Sequence, residues 1–403
     1  MTLAPPDLLV VGAGPAGSAL AIRSAREGLR TVLVDRARFP RDKPCAEYLS
    51  PETLRQLDIL GVLPAVDAAG GATLRGTTVT GPRGARLTGL FDRTTPLPFR
   101  ATGLGVARRT LDHLLVRAAQ EAGAHLLEEH AVTELLYAGG GVSGALVRGP
   151  DGRLSPIRAR LTVGADGLRS VVARRLGARF HGRPARIAFV CHAGVSDLTD
   201  QAELHVSARG YVGLNPLGGG LGNVALVVPA NAAGPARGRP QAFFFEQLER
   251  FPGVRGRVSP ERVERPVMVT GPFSVRARRV TAGGALLVGD AADFFDPFTG
   301  EGIWAALQGA AFAADTALDA LAAPGPVTAR RLAAYPARRR ARFAGKWIVE
   351  RAIGFGMFLP TLFDRSVERI ERGGWSHTLI GVTGDHVPAR ALLSPRFLWN
   401  LIR

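Results

Sequence analysis

The chain alternates short apolar runs with amphipathic stretches, and glycine or proline cuts one from the next. Residues 7–11, Asp-Leu-Leu-Val-Val, run into Gly12-Ala13-Gly14-Pro15-Ala16-Gly17. A helical stretch follows over 18–27, then a second apolar strand, 31–34, ending in Asp35. This order predicts a βαβ unit. Two later segments repeat its opening: 161–164 leads into Ala165-Asp166-Gly167, and 285–288 into Gly289-Asp290-Ala291. From about residue 185 the pattern shortens to strands at 187–193, 202–207, 210–215 and 222–228, which predict an antiparallel sheet. Residues 302–321 are apolar nearly all round, as a buried helix would be. A basic helical run at 330–342 and an unusually apolar stretch at 347–360 follow.

The glycines of the first turn have a steric logic. Gly12 permits the tight turn, Gly14 lets backbone approach a pyrophosphate, and Gly17 lets helix and strand pack closely. The helix N-terminus then offers free N–H groups and a positive dipole end to phosphate. Asp35, 18 positions beyond Gly17, is placed to accept hydrogen bonds from a ribose diol. Dinucleotide binding is the expectation.

The set GxGxxG, Gly164-Ala165-Asp166-Gly167 and Gly289-Asp290-Ala291, followed by Asp296-Pro297-Phe298-Thr299-Gly300-Glu301-Gly302, resembles that of the glutathione-reductase-like flavoproteins, in the branch around para-hydroxybenzoate hydroxylase. The resemblance implies an α/β fold: a three-layer ββα Rossmann domain for FAD, an inserted antiparallel substrate sheet and a helical C-terminal region. It divides the chain into FAD-binding parts 1–70, 101–182 and 276–325, substrate-domain parts 71–100 and 183–275, and helices over 326–403. It implies that Gly12, Gly14, Pro15, Ala16, Gly17, Asp35, Arg36, Asp166, Gly167, Gly289, Asp290, Pro297, Gly300 and Gly302 hold FAD. Asp290 would bind the ribityl chain, and the helix opening near Gly302 would aim its positive end at the flavin ring. Arg108, in Arg108-Arg109-Thr110-Leu111-Asp112, matches an arginine lying over FAD, and the backbone of Val132 matches the adenine contact.

Lys43-Pro44-Cys45-Ala46-Glu47-Tyr48-Leu49-Ser50-Pro51 is similar to a segment of the geranylgeranyl reductases and their monooxygenase relatives that passes close to the flavin, which brings Cys45 and Ala46 to the cofactor. Ala46 stands where glycine is usual, so a positive φ is not expected there. Cys45 is either a reactive thiol or a small buried apolar residue. Gly213 occupies the tryptophan position of the family's aromatic strand, which disfavours halogenation. His192, Glu203, His205 and Tyr211 are polar groups on the predicted sheet, and an outward orientation is the expectation for each.

Composition limits the partners. Of 403 residues, 46% are hydrophobic and 21% charged, which excludes wholesale disorder. The formal charge of +17 is carried by scattered arginine, with lysine only at Lys43 and Lys346, so no nucleic-acid surface is expected. Two cysteines exclude a disulfide framework, and no metal-ligand spacing occurs. No basic leader with a cleavage site is recognised, and no uncharged stretch is long enough to span a bilayer. A cytoplasmic protein is expected. The apolar C-terminal stretch either packs beneath the substrate domain or meets a membrane or a greasy substrate peripherally.

The functional expectation is a flavin monooxygenase using NAD(P)H and O₂ on a lipophilic aromatic, polyketide-like or isoprenoid substrate. No second strand–GxGxxG–helix unit for NAD(P)H is recognised, and Gly218-Gly219-Gly220-Leu221-Gly222 has neither the spacing nor the following helix, so NAD(P)H would bind transiently, or a partner protein would supply electrons. The alternative is a reductase similar to the geranylgeranyl reductases, saturating isoprenoid double bonds. A halogenase and a non-catalytic flavin-binding protein stand further back. No catalytic side chain is assigned, because the flavin carries the chemistry.

Overall fold

The run Leu8–Val11 forms the middle of a six-stranded sheet, and all four of its side chains are buried. A strand covered on both faces reads as a continuous apolar run, which is why the pattern announced it. In this computed structural model, which describes residues 5–402, Leu8 pairs in parallel with Leu161 on one side and Thr31 on the other. Residues 1–4, on which the reading of the amino terminus rests, lie outside the described residues. Ala285–Leu287 and His125–Leu127 extend the parallel sheet, and Thr281–Ala282 closes one edge antiparallel.

Helices Pro15–Arg26, Arg108–Glu121 and Gly302–Ala322 cover one face, packing Leu20, Leu115 and Leu307 into a shared core. The other face carries a three-stranded antiparallel layer, Ala131–Ala138, Gly141–Arg148 and Leu154–Arg158. This is the expected ββα arrangement. Each fully buried leucine or valine in these layers contributes roughly 1.5–3 kcal/mol.

A second sheet of seven strands stands over the C-terminal ends of the parallel strands. Its order is Val258–Thr270, Arg186–Val195, Leu221–Pro229, Gly210–Gly218, Gln201–Ser207, Gly76–Thr80 and Arg86–Leu90. The expectation of a purely antiparallel sheet is corrected in one place. Gln201–Ser207 pairs with Gly76–Thr80 in parallel, because strands from two separated parts of the chain meet there. One face carries Val190, Tyr211, Ala225 and Val227 towards an internal cavity. The opposite face, with Cys191, Val212 and Leu226, lies beneath Phe243 and Phe244 of helix Pro240–Leu248.

The C-terminal helices Ala334–Gly356, Pro360–Arg372 and Ser376–Thr383 lean on the cavity side of this sheet. The basic run expected at 330–342 enters its helix only at Ala334. Of the apolar stretch that follows, Val349, Met357 and Phe363 are core, whereas Ile348, Phe355, Phe358 and Leu359 are exposed. Among the described residues no helix is long and apolar enough to cross a membrane.

A candidate flavin site between two sheets

The glycine turn is built by close approach. Gly12 has φ +100°, and a Cβ there would stand 2.6 Å from the Ala165 carbonyl oxygen. A Cβ on Gly17 would lie 1.8 Å from the Gly12 oxygen, so only glycine lets helix Pro15–Arg26 sit this close to its strand. Asp35 is buried and holds the turn from below. Its Oδ2 accepts the Ala13 N–H at 2.8 Å and its Oδ1 the Ala37 N–H at 2.9 Å.

Beside the turn lies a cationic cluster, buried at Arg108 and partly buried at Arg41 and Lys43. The Arg108 guanidinium donates to both oxygens of Asp112 at 2.8 Å, and Arg41 Nη1 stands 3.0 Å from the same carboxylate. Arg108 and Arg41 both reach Gly14, their Nη2 atoms 3.8 Å from where its Cβ would be. Burial works against the charge of Arg108, but Asp112 and Cys45 outweigh it and raise its pKa. Burial pushes the Lys43 ammonium down, and Arg108 and Arg41 push the same way against Asp290. Three cations thus face two acids, Asp112 and Asp290, around a glycine turn. An excess of positive charge at a helix N-terminus fits a pyrophosphate. Asp290 itself accepts no hydrogen bond among the described residues; burial raises its pKa against the pull of Lys43 and Arg108. The residues present therefore fit a dinucleotide.

From this cluster a cavity of about 190 Å³ runs beneath the second sheet. Its floor is Gly14, Pro15 and Ala16, with Gly167, Gly289 and Asp290 from the other two turns. Pro297, Gly300 and Gly302 close one end, where helix Gly302–Ala322 begins. Gly300 has φ +74°, and a Cβ there would be 2.8 Å from the Tyr48 ring. Arg108, Cys45 and Ala46 complete the wall on the other side.

The Cys45–Glu47 segment is tied to the roof by a network that the sequence pattern did not disclose. Glu47 is fully buried. Its Oε1 accepts Arg265 Nη1 at 2.9 Å and the Arg108 N–H at 3.1 Å, while His192 Nε2 donates to Oε2 at 2.5 Å. Asn215 donates to the Glu47 carbonyl, and Asn223 to the carbonyls of Cys45 and Ala46, each at 2.9 Å. Four roof strands therefore grip one short segment. The positive φ falls on Glu47, at +57°, so alanine in place of glycine at 46 introduces no strain. Cys45 is half-buried: it packs against the core of the parallel-sheet domain and also lines the cavity, and its Sγ accepts the Glu47 N–H at 3.4 Å.

Four of the expected residues outside the glycine turn do not line this cavity. Asp166 is outside the cavity wall because its carboxylate caps a helix: it accepts the Ser170 hydroxyl and the Val171 N–H, each at 2.6 Å. Val132 is buried in the antiparallel layer and Arg36 is on the surface, both away from the cavity, as is Asp35. The outward orientation expected for the roof polar groups is corrected. Tyr211 lines the cavity and donates to Asp296 at 2.5 Å, and His192 turns in to Glu47. Glu203 and His205 point to the far face but are covered there, bound to each other at 2.7 Å, with Arg257 2.8 Å from Glu203.

A glycine turn at a cationic cluster, beside a cavity under a second sheet, is the site of a FAD-dependent oxidoreductase. The chain belongs to the FAD binding domain family, matched over residues 6–350, which bears out the resemblance to the para-hydroxybenzoate hydroxylase-like flavoproteins. It is 32% identical over 374 residues to digeranylgeranylglycerophospholipid reductase 2 of Methanothermobacter thermautotrophicus, covering 91% of each chain. It is 30% identical over 370 residues to menaquinone reductase of Mycolicibacterium smegmatis, covering 88% of this chain and 85% of the relative. Its fold is shared with a geranylgeranyl bacteriochlorophyll reductase-like protein of Thermoplasma acidophilum, with TM-score 0.72 and 21% identity over 98% of this chain and 95% of the other.

Proposed function

We propose that the protein is a FAD-dependent reductase that saturates carbon–carbon double bonds in the prenyl chain of a lipid. The observation that carries the reading is the cavity wall beyond the nucleotide turns. It is formed largely by Ala188, Val190, Ala225, Val227, Phe273 and Phe298, and Gly213 leaves open space among them. The Tyr211 hydroxyl is committed to Asp296, and the Asn215 and Asn223 amide nitrogens to the Cys45–Glu47 backbone. Such a wall suits an apolar chain better than a polar aromatic ring. The named relatives are reductases, and both named substrates carry polyprenyl chains, which moves the reading from oxygenation, the first expectation, to saturation.

Bound and reduced FAD would supply the electron pair as a hydride to one carbon of the double bond, and a proton of solvent origin would add to the other. The protein's part is to hold and enclose. Arg41, Lys43 and Arg108 balance the pyrophosphate charge, and Asp290 accepts from the ribityl hydroxyls. The N-terminus of helix Gly302–Ala322 presents its positive end at the cavity. The roof strands cover the cavity and fix the Cys45–Glu47 segment. NAD(P)H, bound transiently, is the proposed electron donor.

The test is an anaerobic turnover. Reduced enzyme is mixed with a geranylgeranyl-bearing phospholipid or menaquinone, and the lipid is weighed by mass spectrometry. Gain of two hydrogens per double bond is expected. No gain without oxygen, with labelled oxygen entering the lipid in air, would return the reading to monooxygenation.

A further inference from the structure

We propose that the surface formed by Ile348, Phe355, Phe358, Leu359 and Leu362 docks on an anionic lipid bilayer, which rests on, and extends, the reading of a lipid-borne substrate. These side chains are 55%, 52%, 44%, 55% and 52% exposed and fall within one short stretch where two helices meet. Ile348 and Phe355 are seven residues apart on helix Ala334–Gly356 and so share a face. Phe358 and Leu359 form the corner, and Leu362 opens the next helix. Large apolar side chains grouped on a surface in this way mark an interaction site.

The charge around the patch selects the partner. Between residues 340 and 365 the exposed positions are seven apolar residues, alanines included, and Arg340, Arg342 and Arg365. No carboxylate is exposed there. Asp364 is buried and accepts the Arg83 and Ala85 N–H groups at 3.1 and 3.3 Å. Glu350 faces an inner cavity, and Lys346 is bound inward to Asp385. Arg342 is paired with Asp385, and Glu368, the first exposed carboxylate beyond this stretch, is paired with Arg372, so the unpaired charge beside the apolar side chains is positive, the pattern of a surface that lies in the headgroup region of an anionic membrane. A second copy meeting patch to patch about a two-fold axis would bring the same arginines against each other.

The patch is also one side-chain layer from the cavity. The Phe358 ring lies 4.5 Å beneath the Arg186 guanidinium, which donates to Asp296 at 2.6 Å, next to the cavity-lining Pro297 and Phe298. The Phe355 and Phe295 rings are 6.4 Å apart, and Gly354 packs against Phe295 and Phe298. A chain leaving the bilayer would meet the protein where its apolar interior is nearest the surface.

The experiment uses the FAD-loaded full chain and vesicles of phosphatidylcholine, with or without one quarter phosphatidylglycerol. Co-flotation with the anionic vesicles is expected, falling at least tenfold for Phe355→Ser/Leu359→Ser and for pure phosphatidylcholine. Flavin absorbance, and turnover of a detergent-dispersed prenyl lipid, should be unchanged in the variant, since neither residue lines the cavity. Equal flotation of variant and wild type would overturn the proposal. So would a dimer in solution that the variant dissociates while vesicle binding is absent. If the wild type binds vesicles but saturates no prenyl lipid, the docking surface stands and the proposed substrate class falls. Turnover without vesicle binding gives the reverse.

Discussion

Oε2 of Glu47 lies 2.5 Å from Nε2 of His192, and this contact joins the flavin-facing segment to the roof sheet. Arg265 completes the tie from the next strand at 2.9 Å. Glu47→Gln would leave a buried guanidinium without its carboxylate. Loss of one partner of a buried pair costs about 3–5 kcal/mol. We expect a loss of that order in urea denaturation of the holoprotein, together with faster FAD release. An unchanged midpoint would show that the tie is not a stabilising one.

Asp290 and Asp166 occupy corresponding places in two similar turns, yet they are predicted to respond differently. Asp290 accepts no hydrogen bond among the described residues and faces the cavity, so Asp290→Ala should weaken FAD binding at least tenfold, about 1.4 kcal/mol, with little change in the stability of the apoprotein. Equilibrium dialysis against FAD checks this; full retention would sink the assignment.

Asp166→Ala should do the opposite. Its carboxylate caps helix Val171–Arg175 through the Val171 and Val172 N–H groups at 2.6 and 3.3 Å. Removal of such a cap costs about 0.5–2 kcal/mol. A thermal shift of the apoprotein, larger than any change in FAD affinity at a permissive temperature, is the expected result.

Gly213 faces the cavity, and the nearest atom to a Cβ built there is 4.0 Å away, outside its own neighbours. A larger side chain can therefore be accommodated without moving the backbone. Gly213→Leu should leave FAD bound and raise KM for a long prenyl substrate several-fold, more than for a short one. Equal effects on both chain lengths would argue that the space is not used by substrate.

Two sets of acids give opposite pH responses. Burial works to raise Glu203, but hydrogen bonds from Arg257 and His205 hold it down at about 2. A depressed carboxylate contributes stability that is present above its unfolded pKa of about 4.3 and is lost as pH falls towards 2. Burial pushes Glu301 up to about 8 and Glu350 up to about 7, against Lys346 and with the help of Asp385. Raised carboxylates act in reverse: their contribution is complete below the unfolded value and declines as pH rises to about 8. Glu301→Gln should flatten the decline between about pH 5 and 8 without altering the acid limb. Chemical denaturation across pH 3–9 separates the two limbs.

How much of this was legible depended on whether a residue's role is local. The three turns could be read because backbone sterics at Gly12 and Gly17 act over a few residues, and buried parallel strands leave unbroken apolar runs. The strand Val258–Thr270 is not legible in the sequence pattern. Its pattern is interrupted by Pro260 and Pro266, its pairing with Arg186–Val195 shifts register repeatedly, and charged residues occupy many of its positions. With it went Arg265, and so the partner of Glu47. Asp166 was legible as an acid beside a turn, but its use as a cap depends on the direction the chain takes next. Nor does alternation along a strand reveal whether its outer face is wet; helix Pro240–Leu248 and the loop after it, folded over Glu203 and His205, decided that.

The grip of four roof strands on Cys45–Glu47 has a consequence for altering this protein. Substrate preference and cofactor environment are not separate properties here. A change of side chain at Asn215, Asn223 or His192, made to reshape the chamber for another lipid, also releases a hydrogen bond that sets the backbone beside the redox centre. Variants selected for new substrates along those positions would carry altered flavin affinity with them, whereas changes at Gly213 or Val227, which hold no part of the tie, would leave it intact.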